Sequence, residues 1–226
     1  MLLKLPEVFS KDEVREIRDC LSRISFKEKK KPMERGGETV GLLKNNLQIP
    51  SGHPDARPAA EIVGKRLTTH PQFSTFALPK KIHMMFNRYD PGMFYERHVD
   101  SAIMTHRPGE LARTDLSFTV FLSEPEEYQG GDFVVELEFG EARIREPAGN
   151  VIVYQADTLH GVEEVTEGAR WAVVGWIESF ISDPTEREIH FELSVAIKDA
   201  QEVVGTDLRR RFERVHERLV RRWVKT

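Results

Sequence analysis

The chain has one cysteine, Cys20, in 226 residues. No intrachain disulfide can form and no thiolate-rich metal cage can be built, which fits a reducing compartment; the cytoplasm is the expected location. No apolar run approaches the ~20 residues a bilayer-crossing helix needs. The opening Met1-Leu-Leu-Lys-Leu-Pro6 is too short for a secretory leader, and Lys11, Asp12 and Glu13 follow at once. No membrane association is therefore expected. An excess of either charge is missing too: 33 Lys and Arg against 37 Asp and Glu leave a net charge of −4. That balance argues against a general nucleic-acid binder. Internal repeats and low-complexity tracts are also absent. The length fits one domain, or one domain with an extension, and a core that takes up about 70% of the unfolded surface.

Ser10-Lys-Asp-Glu13 has the form of a capping box, and Val14, Ile17, Leu21 and Ile24 repeat behind it at helical spacing. The charged, glycine-bearing stretch 27–41 is expected to be a mobile loop. A second helix is predicted over about Pro58 to Thr69. From Lys81 to Phe180 short strands dominate. They are broken by Asp90-Pro91-Gly92, His106-Arg-Pro-Gly109, Gln129-Gly-Gly131 and Pro147-Ala-Gly149. The expected fold is mainly β with flanking α: a double-stranded β-helix, or jelly roll, with N-terminal helices and a C-terminal helical extension. Residues 1–182 are assigned to the jelly-roll domain, with its core at about 80–180, and 183–226 to a helical extension packed on it. Asp183-Pro184 starts the first tail helix, with Ile189, Leu193, Ala196, Ile197 and Ala200 as its apolar stripe. Gly205 is expected to end it and Thr206 to cap the next. That helix carries Leu208, Phe212, Val215, Leu219 and Trp223 on one face and seven arginines elsewhere. The tail is read as a helical pair docked on the core with a solvated basic face, or as a contact for a partner or for a homo-oligomer.

The chemistry-bearing residues lie in the strand-rich part. His98 and Asp100 stand two apart in Tyr95-Glu-Arg-His-Val-Asp100, so on a strand both side chains reach one face. His160 follows the strand-like run from Val151 to Tyr154. Two imidazoles and one carboxylate on a triangular face leave three octahedral positions open, the arrangement of non-haem Fe(II) oxygenases. Arg170, just after a Gly168 suited to a turn, offers a planar fork for a carboxylate, as the distal end of a 2-keto diacid would require. It is expected on the strand next to the His160 segment.

The ordered set Tyr89-x-x-Gly92-x-x-Tyr95-x-x-His98-x-Asp100, Arg113-Thr-Asp-Leu-Ser117, Phe121-Leu-Ser123, Gly130-Gly-Asp-Phe133, His160…Gly168-x-Arg170…Trp176-Ile177 resembles the bacterial PKHD-type hydroxylases. These lie within the prolyl 4-hydroxylase-like superfamily of Fe(II)/2-oxoglutarate dioxygenases. The likeness runs from the N-terminus to about residue 180, and the helical tail is also similar. It implies Fe(II) at His98, Asp100 and His160, 2-oxoglutarate at Arg170 with Tyr89 close by, O2 as oxidant and L-ascorbate as reductant. It also implies hydroxylation of a protein side chain or a small molecule, and a link to iron homeostasis. Two rival readings stand beside it: a non-catalytic iron or 2-oxoglutarate sensor, and a jelly-roll interaction protein that uses the basic tail.

Several further residues have two readings. Lys44-Asn45-Asn46 lines the pocket mouth, as the resemblance has it, or is a loop entering a strand. Tyr95 matches the motif without a defined contact. After Arg113-Thr-Asp115, the residues Leu116, Phe118, Val120 and Leu122 alternate with Ser117 and Thr119, and plain strand polarity is the preferred account of Ser117. Gly130-Gly131 reads as a turn with close backbone passage. Asp157 and Thr158 are candidates to hold a ring nitrogen of His160. His83 and His106 have no partner legible in the sequence.

Overall fold

The computed structural model describes residues 1–50, 52–107, 109–200 and 203–225, without the side chains of residues 106 and 107. His106 therefore lies outside the described side chains. The strands are β1 (Leu2–Leu5), β2 (Lys27–Arg35), β3 (Glu38–Pro50), β4 (Pro79–Tyr89), β5 (Phe94–His98), β6 (Ile103–Arg107), β7 (Glu110–Arg113), β8 (Leu116–Phe121), β9 (Tyr128–Gly130), β10 (Phe133–Leu137), β11 (Gly140–Ile144), β12 (Val151–Gln155), β13 (His160–Val162), β14 (Val165–Gly168) and β15 (Arg170–Ser179). The helices are α1 (Lys11–Ser22), α2 (Arg57–Thr69), α3 (Pro71–Ala77), α4 (Pro184–Asp199) and α5 (Thr206–Trp223).

An antiparallel sheet runs in the order β1-β12-β8-β15-β4-β3-β5-β13-β10-β11, with β2 added to β3. It curls on itself: side chains of β8, β15 and β4 line the same cavity as those of β5, β13 and β10. This is the expected jelly roll. Its outer face follows from the alternation of each strand. Met84 and Phe86, Leu116, Phe118 and Val120, and Val173 and Ile177 turn outward to a core shared with Val14, Ile17 and Leu21 of α1, Val63 and Leu67 of α2, and Phe73 and Phe76 of α3. A Cβ on Gly175 would come within 2.4 Å of the Phe118 ring, so only glycine fits where that ring crosses β15. The capping box of α1 forms in full, Glu13 N–H donating to Ser10 Oγ and Ser10 N–H to Glu13 Oε2. No sequence signal had marked α3, whose first turn is capped by the His70 imidazole.

The stretch 27–41 is not a loop. It forms most of a long hairpin in which β2 pairs with β3 around Gly36 and Gly37, both at positive φ. Its strands were hidden because β2 is charged on both faces and has no apolar alternation; backbone pairing holds it. The tail also differs from expectation. In α4 it is Arg187, His190 and Ile197 that are buried, and Ile189 is exposed. Polar anchors set the helix phase: Arg187 donates to the Ile181 carbonyl at 2.7 Å and to Gln155 Oε1 at 2.5 Å, while Phe191 packs edge-on against Phe76. The helix ends at Asp199, before Gly205; Gly205 is the N-cap of α5 and Thr206 its first residue. Within α5 no residue is fully buried, and Leu208, Phe212 and Val215 are exposed. No helix among the described residues is long and apolar enough to cross a membrane.

Candidate active site in the jelly-roll cavity

His98 and His160 lie directly opposite each other on the paired strands β5 and β13, with ring centroids 4.4 Å apart. His98 is the last residue of β5. Asp100 lies beyond the strand end, where its N–H donates to the Ala156 carbonyl. Each histidine has Nδ1 2.9 Å from the carbonyl oxygen two residues before it, Glu96 for His98 and Thr158 for His160. A carbonyl only accepts, so each Nδ1 carries the proton and each Nε2 presents a lone pair. The two Nε2 atoms stand 3.7 Å from opposite oxygens of Asp100. All three ligand atoms lie within 4.8 Å of one another, a group that could hold a metal ion.

Asp100 is held from behind by Ser117 on β8, whose hydroxyl donates to Oδ2 at 2.6 Å. Burial pushes its carboxyl up, but its neighbours His98, His160, Ser117 and the Trp176 indole together outweigh burial and hold it below its ordinary value. Burial lowers the His160 imidazole more than the Asp100 charge raises it, so a neutral ring is favoured. Neutral imidazoles and an ionised carboxylate are the forms that bind a divalent cation.

At the other end of the cavity sits Arg170. Its register partner on β4 is Tyr89, and its guanidinium carbon lies 5.5 Å from the ring centroids of both Tyr89 and Phe121. It is 1% exposed, and none of its three nitrogens has a hydrogen-bond partner among the described residues. A buried, unpaired cation costs several kcal/mol, so this end is built for an anion that a carboxylate would match. Beside it, both amide atoms of the fully buried Asn46 are also unpartnered. Burial raises the Tyr89 hydroxyl, outweighing the Arg170 charge that lowers it. The whole cavity, which Arg170 and the triad both line, has a volume of about 290 Å³.

A profile of the 2OG-Fe(II) oxygenase superfamily matches residues 84–178. A PKHD-type hydroxylase of Stenotrophomonas maltophilia is 38% identical over 99% of this chain and 99% of its own length. The chain belongs to the PKHD-type hydroxylases. Another from Hyphomonas neptunium is 40% identical over 91% of this chain and 93% of its own. In fold, the chain resembles a prolyl hydroxylase of Trichoplax adhaerens, solved with a hypoxia-inducible-factor peptide, at a TM-score of 0.58 and 12% identity over 85% and 86% of the two chains. As a PKHD-type hydroxylase the chain is a 2-oxoglutarate-dependent dioxygenase, a class that works with Fe(II), 2-oxoglutarate and O2.

For this hydroxylase, the sequence had named all five of His98, Asp100, His160, Arg170 and Tyr89, and the fold brings them to one cavity. The strand of Arg170 is not beside that of His160, however. β15 lies between β8 and β4, and the two residues meet across the curled sheet. Ser117 is more than strand polarity, since it bonds Asp100; the alternation put it on the inner face but could not show what lay opposite. Thr158 does hold His160, through its backbone carbonyl, whereas Asp157 is exposed. Lys44-Asn45-Asn46 is strand, not loop: Lys44 lines the cavity and Asn45 donates to the Gly92 carbonyl. Tyr95 stacks on His98 with centroids 3.6 Å apart. Arg113 is structural, pairing with Asp115 and Glu178, and the Thr114 hydroxyl donates to the Ser101 carbonyl beside Asp100. Gly130 and Gly131 do allow close passage: a Cβ on Gly130 would come 2.1 Å from the Glu164 oxygen, and one on Gly131 3.3 Å from Arg170 Cδ. His83 stacks on Trp176.

Proposed function

We propose that His98, Asp100 and His160 hold Fe(II) and that Arg170, with Tyr89 packed beside it, receives the distal carboxylate of 2-oxoglutarate. The observation that carries this reading is the buried, partnerless guanidinium of Arg170 in the cavity that also holds the triad. When bound, the metal, co-substrate and O2 supply oxidative decarboxylation to succinate and carbon dioxide, with insertion of one oxygen atom into a substrate C–H bond. The chain's own residues bind, orient and exclude water. The Nδ1 contacts aim both imidazole lone pairs inward. Ser117 fixes the orientation of Asp100. Phe133, Tyr154 and Val174 give the cavity apolar walls that limit competing water. Residues 1–182 carry this site in our reading, and 183–226 form the helical extension. The product is a hydroxylated protein side chain or small molecule, and L-ascorbate serves as the reductant that restores ferrous iron.

The test is an anaerobic titration with Fe(II) and 2-oxoglutarate, followed by the visible metal-to-ligand charge-transfer band. The band is expected in the wild type and absent in a folded His98→Ala variant. Iron binding without the band removes the assignment of Arg170; no iron binding removes the triad.

A further inference from the structure

A second cationic spot lies at the mouth of the cavity, on the β2–β3 hairpin. Lys31 and Lys44 are direct register partners across that hairpin, and both line the cavity. Like charges placed directly opposite on an antiparallel pair repel. Further along the same row the hairpin avoids this: Lys29 faces Asn46 and Lys27 faces Gln48, a lysine against a neutral amide each time. Only at the mouth does lysine meet lysine. Among the described residues neither has an ion-pair partner, whereas Lys30, one residue along and on the opposite face, pairs with Glu28 at 2.6 Å. The Lys44 ammonium sits 4.4 Å from the centroid of the Tyr95 ring, and that ring stacks on His98. The charge is thus one aromatic ring away from the triad. Val99 and Met104, both apolar, also line the cavity, and Val99 is 51% exposed.

A lysine pair that served only the hairpin would be replaced with profit by lysine and amide, as in the next two rungs. Two lysines paired across the hairpin and lining one cavity instead form a site whose repulsion an anion relieves. We infer that the substrate of this hydroxylase carries a carboxylate that bridges Lys31 and Lys44, with an apolar body lying on Val99 and Met104. This rests on the dioxygenase reading above and adds the class of substrate to it. The co-substrate's own carboxylate has a different place, at Arg170.

Benzoate and benzamide test this, because they share a ring and differ in charge. Binding of each is followed by tryptophan fluorescence and by saturation-transfer NMR in the full-length protein, with Fe(II) and saturating 2-oxoglutarate under argon. Benzoate is expected to bind saturably with the charge-transfer band intact, and benzamide about tenfold more weakly. Lys44→Gln and Lys31→Gln should each weaken benzoate by about tenfold and leave benzamide unchanged, while Lys44→Arg retains benzoate. Equal affinity for the two probes, no benzoate binding, or unchanged benzoate binding in both glutamine variants overturns the inference. Loss of the band on adding benzoate also overturns it, since the anion would then be competing at Arg170. If the wild type shows no band at all, the dioxygenase reading has failed; the dependence of the benzoate-to-benzamide ratio on Lys44 still decides the lysine anchor.

Discussion

The cavity has a cation at each end, and the two differ in almost every respect except sign. Arg170 is sealed between two aromatic rings with no water-accessible surface to speak of and no hydrogen-bond partner. Lys44 is only partly covered, and Lys31 is exposed. The deep charge is best relieved by a ligand that brings its own carboxylate, because the residue is 1% exposed and no side chain pairs with it. At the mouth, water always offers an alternative. Such a pair gives modest affinity and fast exchange. The deep end is thus suited to a constant co-substrate, and the mouth to a changing one.

The largest expected effect breaks the deep end. Arg170→Met should weaken 2-oxoglutarate by about 100- to 1,000-fold, the cost of truncating one side of a buried charged pair. Fe(II) affinity without 2-oxoglutarate should stay within a few-fold, as isothermal titration would read. The same variant should raise the melting temperature of the ligand-free protein, because an uncompensated buried charge is gone; each kcal/mol recovered is worth about 2–4 °C at this length. A fall in melting temperature would mean that Arg170 is stabilised by a partner of its own.

Ser117→Ala should act between the two ends. If Asp100 holds the metal as proposed, losing the hydroxyl that orients it is expected to weaken Fe(II) by about 10- to 100-fold. Binding of 2-oxoglutarate at saturating metal, and of benzoate at the mouth, should be unaffected. A matching drop at either cation would show that the triad and that end are one unit.

The smallest effect is a pH dependence that separates lysine from arginine. Burial, joined by the Lys31 and Lys29 charges and opposed by Asp100, brings the Lys44 ammonium down to about 8 from 10.5. Anion binding at the mouth should therefore fall as pH rises through about 8, while the permanent cation at Arg170 keeps 2-oxoglutarate affinity flat. A cation bound at Asp100 removes the one influence that raises Lys44, so adding metal should move the fall to lower pH. The sign for folding is opposite. Between about 8 and 10.5 the unfolded chain binds the proton that folded Lys44 has lost, so this group's contribution to stability rises with pH across that window. Lys44→Gln should flatten both profiles, measured by benzoate titration and by urea midpoints.

Much of this is legible in the amino-acid sequence, and what is not has a common cause. Capping boxes, strand alternation and the spacing of His98, Asp100, His160 and Arg170 are local signals or pairwise spacings. The β2–β3 hairpin escaped notice because its pairing is between backbones and its side chains alternate charge with charge. Ser117 lies on the correct face by alternation, but its partner Asp100 comes from another strand end 17 residues away. The α4 stripe was phased by Ile189, Leu193, Ala196, Ile197 and Ala200, yet besides Ile197 burial follows Arg187 and His190, whose partners lie outside the helix. Polar contacts between elements decided each case, and no period in the chain announces them.

The carbonyl contacts behind His98 and His160 have a consequence for how the enzyme can change. Both rings are steered by main-chain oxygens two residues upstream, Glu96 and Thr158, which every amino acid possesses. No side-chain replacement at those two positions removes the steering atom. The walls and mouth of the cavity can then drift toward new molecules while the rings keep their aim, so the chemistry is insulated from the mutations that would retarget it.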